Sequence, residues 1–264
     1  MYPVLFSIGN FSIRSYGAMA AAGFLLGYYL VNVNRKYAKM SSDQASTSLF
    51  VALIAGIVGA RLFYVIQFFD QYRHDLWEIF RIDHGGLVFY GGFILTIAAL
   101  WVYTRKSKLD IIRVFDVYAP ALAIAHACGR IGCFLNGCCW GRPTTLFFGV
   151  TYPQKSSPAQ CYPGEALYPV QLFEAGEQIA LFFLYFYLVR HARRGVAMSS
   201  YIILYGVLRF LNEFMRGDND KILELFTVSQ LIGIVIVPIG AALLIYFLRY
   251  APKENEPKNT KLSD

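Results

Sequence analysis

Charged residues are scarce in this chain. Asp, Glu, Lys and Arg make up 16% of its 264 residues, while 56% are hydrophobic. A water-soluble domain carries about a quarter charged residues, so the composition argues against one large water-soluble core. Because the apolar residues fall in long blocks, the sequence predicts an all-α integral membrane protein.

Acidic residues are fewer than basic ones, 17 against 24, which gives a formal net charge of +7. In a water-soluble protein such a surplus suggests nucleic acid as a partner. Here the basic residues lie mostly in short connections between apolar blocks, where they set the orientation of membrane helices. We therefore expect membrane lipids, and no nucleic acid, as partners.

The chain also lacks a signal-peptide charge pattern, a solenoid repeat and a lipidation motif. Its first apolar block is preceded by one basic residue, Arg14, and is followed by three, at positions 35, 36 and 39. That order is the reverse of a signal peptide's and predicts an uncleaved first helix with its N-terminus outside. The polar segment 251–264 is expected to be a disordered cytoplasmic tail.

Seven apolar blocks are each long enough to cross a hydrocarbon core of roughly 30 Å. The connections and tail on the side of loop 34–46 hold thirteen Lys and Arg, and those on the opposite side hold six. Since basic residues accumulate on the cytoplasmic side, the count predicts an outside N-terminus and a cytoplasmic C-terminus. The predicted transmembrane helices are 16–33, 47–66, 87–104, 111–135, 169–189, 199–216 and 227–249.

Three stretches between the blocks complete the predicted architecture. The apolar N-terminal residues are expected to lie at the outer membrane–water interface. In 67–84, apolar residues recur three or four apart with charged residues on the other face, which is typical of an interfacial arm helix; a simple connector is the alternative. Residues 136–168 hold four prolines and little apolar periodicity, which indicates a small extracytoplasmic head within a single membrane domain, 1–250.

One basic residue lies deep in an apolar block. Arg130 follows His126 by four positions and precedes Cys133 by three, so the three side chains share one face of a helix. An ionised arginine in an apolar segment needs a counter-ion, a cage of carbonyls or an anionic ligand. Glu174, on a polar stripe of the fifth block, is the first plausible counter-charge.

The sixth block carries a second ionisable stripe. Polar groups in such a helix turn toward the bundle interior or a water-filled cavity. A structural pair of Arg209 and Glu213 is one interpretation. With Arg130 elsewhere and few acids nearby, an anion site is favoured, since the guanidinium group suits phosphate through its fork of donors. The stripe consists of Tyr201, Tyr205, Arg209, Asn212, Glu213 and Arg216.

The five cysteines allow several interpretations. We favour a disulfide from Cys161 to Cys138 or Cys139, because these thiols are predicted to lie outside the cytoplasm. A zinc site is less favoured, since the spacing lacks a CxxC pair and a second ligand cluster. Thiol-redox chemistry and the packing of small apolar thiols are further alternatives. The cysteines are Cys128, Cys133, Cys138, Cys139 and Cys161.

Four motifs, in order along the chain, accompany a main signature, and the set resembles the prolipoprotein diacylglyceryl transferases. The signature is Gly-Arg-Ile-Gly-Cys-Phe-Leu-Asn-Gly-Cys-Cys-Trp-Gly at 129–141, and the others lie at 14–17, 85–92, 168–174 and 205–216. The resemblance covers essentially the whole chain and implies an enzyme of the cell (inner) membrane without metal or cofactor. Members of this family move the diacylglyceryl group of phosphatidylglycerol to the lipobox cysteine thiol of prolipoproteins and release glycerol phosphate.

The resemblance also implies site residues. A substrate thiolate would attack the glyceryl carbon while the phosphate leaves, and two essential arginines would clamp that phosphate and stabilise the departing anion. The expected catalytic residues are Arg130, Arg209, Tyr90 and Tyr16. The expected substrate-binding residues are Arg130, Asn136, Gly141, Tyr205, Glu213, Arg216 and Glu174.

The sequence departs from the family pattern at four positions. Tyr90 and Tyr168 stand where histidine is often found, and Cys133 and Cys138 stand where Asn and Glu are common. The histidine proposed as the proton acceptor in such enzymes is therefore absent, and a tyrosine is a poor base near neutral pH. We expect arginine-assisted ionisation of the substrate thiol to suffice. Secondary candidates for the acceptor are Tyr90, His84 and His126.

Three rival functions are open to a chain with these arginines and cysteines. An anion transporter or lipid-binding receptor would bind without a covalent product, although no symmetric pair of broken spans is visible. A related membrane transferase could take a different thiol acceptor or lipid donor. A thiol-oxidising enzyme would lose its activity when Cys138 or Cys139 is replaced, whereas the transferase would lose mainly stability.

Overall fold

Helices dominate the computed structural model, which describes residues 1–9, 11–73, 75–81, 85–219 and 225–252. By their internal contacts these residues form two compact units. The larger holds the described residues of Met1–Asn34 and Phe115–Asn259, and the smaller is Arg35–Val114. The helices are α1 (Ser15–Asn34), α2 (Ser42–Gln67), α3 (Phe89–Lys106), α4 (Ile111–Asn136), α5 (Ser157–Cys161), α6 (Val170–His191), α7 (Val196–Asn212) and α8 (Val228–Tyr250).

Within the described ranges, five helices are long and apolar enough to cross a membrane: α1, α2, α4, α6 and α8. The helices α3 and α7, of 18 and 17 residues, coincide with the third and sixth predicted blocks but do not meet both criteria. The sixth block was expected to reach residue 216, yet α7 ends at Asn212. Glu213 and Arg216 therefore lie just beyond the helix rather than within it.

Capping residues fix where two membrane helices begin. At α2, the Ser41 hydroxyl accepts from Gln44 N at 3.1 Å while the Gln44 side chain accepts from Ser41 N at 3.0 Å. The same reciprocal arrangement joins Thr227 and Gln230 at the start of α8. Such capping boxes satisfy backbone N–H groups that have no partner within the helix.

An aspartate ties α4 to the start of α7. The Asp116 carboxylate accepts hydrogen bonds from Gly195 N at 2.6 Å and Met198 N at 2.9 Å. Gly195 has φ of 83° and lies directly against the Phe247 ring, so a side chain would be both strained and crowded there. These contacts hold two helices that carry site residues, α4 and α7, in a fixed relation within the larger unit.

In the smaller unit, α2 and α3 pack through glycines. A Cβ added at Gly59 would lie 2.5 Å from the Gly91 carbonyl oxygen, and one added at Gly92 would lie 2.6 Å from the Gly56 carbonyl oxygen. The two backbones therefore approach more closely than any larger residue allows. Gly91 and Gly92, in the first turn of α3, serve this helix contact.

Arg61, in α2, is 7% exposed and is enclosed by main-chain carbonyls. A guanidinium group has five N–H donors, and here all three nitrogens are used. This is a carbonyl cage of the kind that satisfies a buried arginine. The acceptors are the carbonyl oxygens of Glu78, Ile79, Arg81, Gly85 and Gly86, at 2.6 to 3.1 Å.

The prediction of one interfacial helix over 67–84 is wrong. The described part of that segment forms two short 3-10 helices, Phe69–Gln71 and Leu76–Phe80. The carbonyl oxygens of Glu78 and Ile79 accept from the Arg61 guanidinium, and this part of the segment has 3-10 rather than α-helical geometry. His84, a candidate proton acceptor, lies outside the described residues.

The N-terminal segment and the segment 136–168 add short strands to an otherwise helical chain. Strands β1 (Val4–Ile8) and β2 (Phe11–Arg14) form an antiparallel hairpin, so the N-terminal arm is not a helix. Strands β3 (Val150–Thr151) and β4 (Ala166–Leu167) pair in the same way near α5. A small apolar cluster lies beside that second pair. Its buried members are Tyr152, Ala159 and Leu167.

The predicted disulfide is wrong. All five cysteines carry free thiols, and Cys161, at the end of α5, is exposed. Cys138 and Cys139 instead lie beside Cys133, with the three sulfur atoms within 4.8 Å of one another. The turn after α4 therefore brings together thiols that the sequence spacing left apart.

Replacing Arg61 with Met keeps the apolar stem but removes every donor of the carbonyl cage. Because several buried carbonyls lose their partners, we expect the free energy of unfolding to fall by about 3 kcal/mol or more. Amide hydrogens of 76–81 should exchange faster, as measured by mass spectrometry in detergent micelles.

Arg73→Met is the matched control for this change. Arg73 pairs with Asp70 at 2.7 Å, but both side chains are mostly exposed, so its loss should leave exchange and stability nearly unchanged. Identical exchange in wild type and Arg61→Met would contradict the structural role of the cage.

Candidate functional site

The centre of the candidate site is an ion pair between α4 and α6. Arg130 Nε lies 2.6 Å from Glu174 Oε2, and the Glu174 residue is only 3% exposed. The same Nε donates to His126 Nε2 at 3.1 Å, one helical turn earlier on α4. Glu174 thus supplies the counter-charge that the sequence indicated for Arg130.

Arg209, from α7, converges on the same carboxylate. Its Nη1 lies 2.6 Å from Glu213 Oε2 and 3.8 Å from Glu174 Oε1, and its Nη2 donates to Ser229 Oγ at 2.8 Å. Each arginine has a carboxylate within 2.6 Å, so the pair of Arg209 and Glu213 is what the structure contains.

The two arginines nevertheless differ in how fully they are engaged. The Nε of Arg130 is bound to Glu174 and His126. Among the residues that the structure describes, no acceptor is hydrogen-bonded to its two terminal nitrogens. These nitrogens carry four N–H donors in the planar fork that matches a phosphate group. Arg130 therefore combines a fixed inner end with an available outer end.

A cavity of about 10 Å³ lies among these side chains, which is room for one water molecule at most. Its small volume means that a phosphate group would have to enter by moving side chains or from the open side of Arg130. The lining residues are His126, Glu174, Glu177, Gln178, Tyr205, Leu208, Arg209 and Asn212.

Polar partners around the ion pairs were missed by sequence reasoning. Glu177 accepts from Asn212 Nδ2 at 2.6 Å, and Glu213 accepts from Asn219 Nδ2 at 2.6 Å. Glu177 follows Glu174 by three positions, so helical spacing could have placed it on the same side. Ser229 and Asn219 had no such signal, because they reach the site through the tertiary fold.

Tyr205 connects the site to a row of aromatic rings. Its ring centroid lies 5.6 Å from that of His126 and 5.9 Å from that of Tyr201, with which it stacks at 2°. Tyr201 in turn lies 5.5 Å from Tyr185. The predicted stripe of the sixth block is therefore an inward-facing surface against α4 and α6.

His126 is already engaged as an acceptor. Its Nε2 receives the Arg130 Nε–H, and a guanidinium group keeps its protons at physiological pH. The same nitrogen lies 3.9 Å from Glu174 Oε2. In this arrangement the imidazole orients Arg130, and its Nε2 is not available to take a proton from a substrate thiol.

The turn after α4 places Gly141 against two other segments. Gly141 N donates to Tyr168 O at 3.2 Å, and Gly217 N donates to Trp140 O at 3.0 Å. A Cβ at Gly141 would lie 2.5 Å from the Tyr168 carbonyl oxygen, so only glycine fits. Gly141 also forms an isolated antiparallel bridge with Arg216. Its role here is to bring chain segments together.

Arg216 is held by its own neighbour rather than by the central pair. Two hydrogen bonds of 3.0 and 2.8 Å join its guanidinium to the Asp218 carboxylate. Burial disfavours its charge, but the bonds to Asp218 outweigh that effect and raise the pKa of Arg216. Arg216 therefore stays a cation beside the turn that contains the cysteines.

Three predicted site residues have contacts other than the central ion pairs. Asn136 donates through Nδ2 to Cys138 Sγ at 3.7 Å. Tyr16, 47% exposed at the start of α1, lies against Gly132, where an added Cβ would be 3.3 Å from its ring. Tyr90 belongs to the smaller unit, in the first turn of α3, and is 43% exposed.

The sulfur cluster of Cys133, Cys138 and Cys139 adjoins this region. Hydrogen bonds with the Cys133 and Cys138 thiols, aided by the positive charges of Arg216 and Arg130, lower the pKa of Cys139 despite its burial. The Cys138 carbonyl oxygen accepts from Gln171 Nε2 at 2.8 Å, which ties the cluster to α6.

Comparisons with known proteins agree on one family. The family model described as prolipoprotein diacylglyceryl transferase matches residues 3–246. A protein of Finegoldia magna is 36% identical over 258 residues, which cover 96% of this chain and 98% of its own. One of Clostridium tetani is 34% identical over 242 residues, covering 91% and 95%. Both relatives bear the name phosphatidylglycerol–prolipoprotein diacylglyceryl transferase.

Replacing Glu174 with Gln should destabilise the protein strongly. The change leaves Arg130 without its carboxylate in a buried setting, and loss of one partner of such a pair costs about 3–5 kcal/mol. The loss is to be measured as a shift of the unfolding midpoint of the purified protein in detergent.

Glu177→Gln is the control on the same helix. Its amide keeps an oxygen that can accept from Asn212, so a much smaller shift is expected. Equal shifts for the two variants would show that Glu174 has no special part in neutralising the arginines.

Proposed function

The chain belongs to the prolipoprotein diacylglyceryl transferase family, and we propose on that premise that it transfers the diacylglyceryl group of phosphatidylglycerol to the lipobox cysteine thiol of prolipoproteins. Glycerol phosphate is the leaving product. The observation that carries the proposal is the convergence of Arg130 and Arg209, from separate helices, on the single carboxylate of Glu174. Two guanidinium groups so placed suit a phosphodiester in a low-dielectric setting.

In the proposed reaction the substrate sulfur forms a bond to the glyceryl carbon while the bond from that carbon to the phosphate oxygen breaks. The electron pair of the broken bond stays on glycerol phosphate, and the thiol proton leaves to an acceptor. Charge builds on the departing phosphate, so fixed positive donors aimed at it lower the barrier.

We assign the direct phosphate contact to the terminal nitrogens of Arg130. Its Nε is fixed by Glu174 and His126, which aims the outer donors and reduces the ordering cost on binding. Arg209 is bound to Glu213 and Ser229. It therefore stabilises the phosphate mainly through its positive charge, or contacts the phosphate directly after releasing one of these two partners. Tyr205, Asn136, Gly141, Glu213 and Arg216 remain proposed as supporting residues, and Tyr16 as a further catalytic candidate.

The hydrogen bond that His126 already accepts bears on the choice of proton acceptor. Since His126 Nε2 receives the Arg130 proton, we propose that ionisation of the substrate thiol depends on the arginine charges rather than on this imidazole. Tyr90 stays a secondary candidate. Full transferase activity of the Tyr90→Phe variant would exclude Tyr90 as the proton acceptor.

We further propose a seven-span protein of the cell (inner) membrane, formed by one membrane domain, 1–250. Support comes from five helices of membrane-spanning length and from α3 and α7 at the other two predicted blocks. The excess of Lys and Arg on one side supports an outside N-terminus and a cytoplasmic tail, 251–264. The segment 136–168, including β3, α5 and β4, then forms the extracytoplasmic head.

The transfer is to be tested with labelled phosphatidylglycerol and a lipobox peptide in membranes or nanodiscs. Wild type should form a thioether-linked diacylglyceryl peptide. Arg130→Ala should reduce the rate by roughly a hundredfold or more, as expected when a preorganised donor is lost from the leaving anion. Arg130→Lys should also be severely impaired, because one ammonium group cannot replace the planar fork.

Arg73→Ala, at an exposed ion pair, is the control and should retain wild-type activity. Each variant is first shown to be folded by its unfolding midpoint. Binding of phosphatidylglycerol without any thioether product from wild type would favour a lipid-binding protein. A product formed only with another thiol would indicate a related transferase.

A further inference from the structure

Three cysteines meet where α4 ends, and the proposed transfer leaves them without a role. Cys133 lies in the last turn of α4, and Cys138 and Cys139 follow in the next turn of the chain. Their sulfur atoms lie within 4.8 Å of one another. Cys133 is buried and the other two are partly buried.

The backbone of the turn holds the thiols in place. Gly137 N and Cys138 N donate to the Cys133 carbonyl oxygen at 2.9 and 3.1 Å. Gln171, on α6, donates to the Cys138 carbonyl oxygen at 2.8 Å. Cys139 has φ of 62°, a left-handed conformation that is uncommon for a residue with a side chain and that persists only where surrounding contacts enforce it.

We propose that Cys133, Cys138 and Cys139 bind a thiophilic d10 metal ion and that this ion is Zn²⁺. Zinc takes thiolate sulfur at about 2.3 Å, which places the sulfurs of a tetrahedral site about 3.8 Å apart. Contraction of the cluster to that spacing takes small side-chain rotations and no change of fold. Three protein ligands leave a fourth position for water.

The charge at this place is nearly balanced once three thiolates hold the metal ion. Each of the three thiols gives up its proton to solvent on binding, and no electron is transferred. The three thiolates and one Zn²⁺ carry a net charge of −1 at the site. Arg216, whose backbone pairs with Gly141 two residues after Cys139, brings a cation to the same turn and so offsets that charge. Soft thiolates select Zn²⁺ or Cu⁺ over Mg²⁺ and Ca²⁺.

The sequence pattern did not predict this site because zinc motifs are recognised by a CxxC pair. Here one ligand comes from the helix and two adjacent ligands come from the turn, so the set exists only when the turn closes on Cys133. The bound ion would hold the turn that leads to Gly141 against the helix that carries Arg130. That role does not require the chain to be a transferase.

The test is metal binding by the full-length protein in detergent. The reduced protein is stripped with a chelator, equilibrated with ZnCl₂, freed of excess metal and measured by elemental mass spectrometry. We expect about one tightly held Zn²⁺ per chain, and a roughly tenfold or greater loss of affinity on replacing any one ligand by Ser. Replacement of Zn²⁺ by Co²⁺ should give sulfur-to-cobalt charge-transfer absorption.

Cys128→Ser and Cys161→Ser are matched controls, since one thiol is buried in α4 and the other is exposed, and neither belongs to the cluster. Both should bind Zn²⁺ like wild type. Retention of Zn²⁺ by the triple variant of the cluster, or no binding by reduced wild type, would overturn the proposal. Cu⁺ binding without Zn²⁺ binding would overturn the assignment of zinc. Transferase activity measured in parallel keeps this outcome separate from the proposed reaction.

Discussion

A guanidinium group cannot be left in an apolar interior without acceptors, and the rest of this structure depends on that constraint. Arg61 is enclosed by main-chain carbonyls, Arg130 by a carboxylate and an imidazole, and Arg209 by carboxylates and a hydroxyl. Each arrangement fixes a different part of the chain: the segment after α2, the contact of α4 with α6, and the end of α7. The arginines are therefore structural anchors as well as functional candidates.

The inner and outer nitrogens of Arg130 have different roles, and this difference connects the structural anchoring of Arg130 to the proposed transfer reaction. Its inner nitrogen is bound to Glu174 and His126, and its outer nitrogens are the ones that we propose as donors to the phosphate. A donor held in this way loses little freedom when a phosphate arrives, and electrostatic catalysis gains most from donors placed in advance. Glu174 therefore has two effects at once, since it neutralises the arginine charge and fixes the inner end of Arg130.

Sequence reasoning located most elements because their signals are local. The apolar blocks predicted the long helices to within a few residues, apart from the start of α2 and the end of α7. Helical spacing put His126, Arg130 and Cys133 on one helix face. It failed where a distant group decides the conformation. The segment 67–84 has the periodicity of an amphipathic helix, yet its described part forms short 3-10 helices whose carbonyls also accept from Arg61. The disulfide involving Cys161 failed similarly, because the turn after α4 selects Cys133 as the neighbour of Cys138 and Cys139.

The sequence by itself determined the membrane class, the order of the helices, the family resemblance and the identity of the ionisable residues in apolar surroundings. Hydropathy and helical spacing are properties of neighbouring residues, so they can be recognised without a fold. The tertiary structure alone decided which carboxylate meets which arginine, which nitrogens stay available and which thiols converge. Those outcomes depend on contacts between residues far apart in the chain, whose distances are set only when the helices pack.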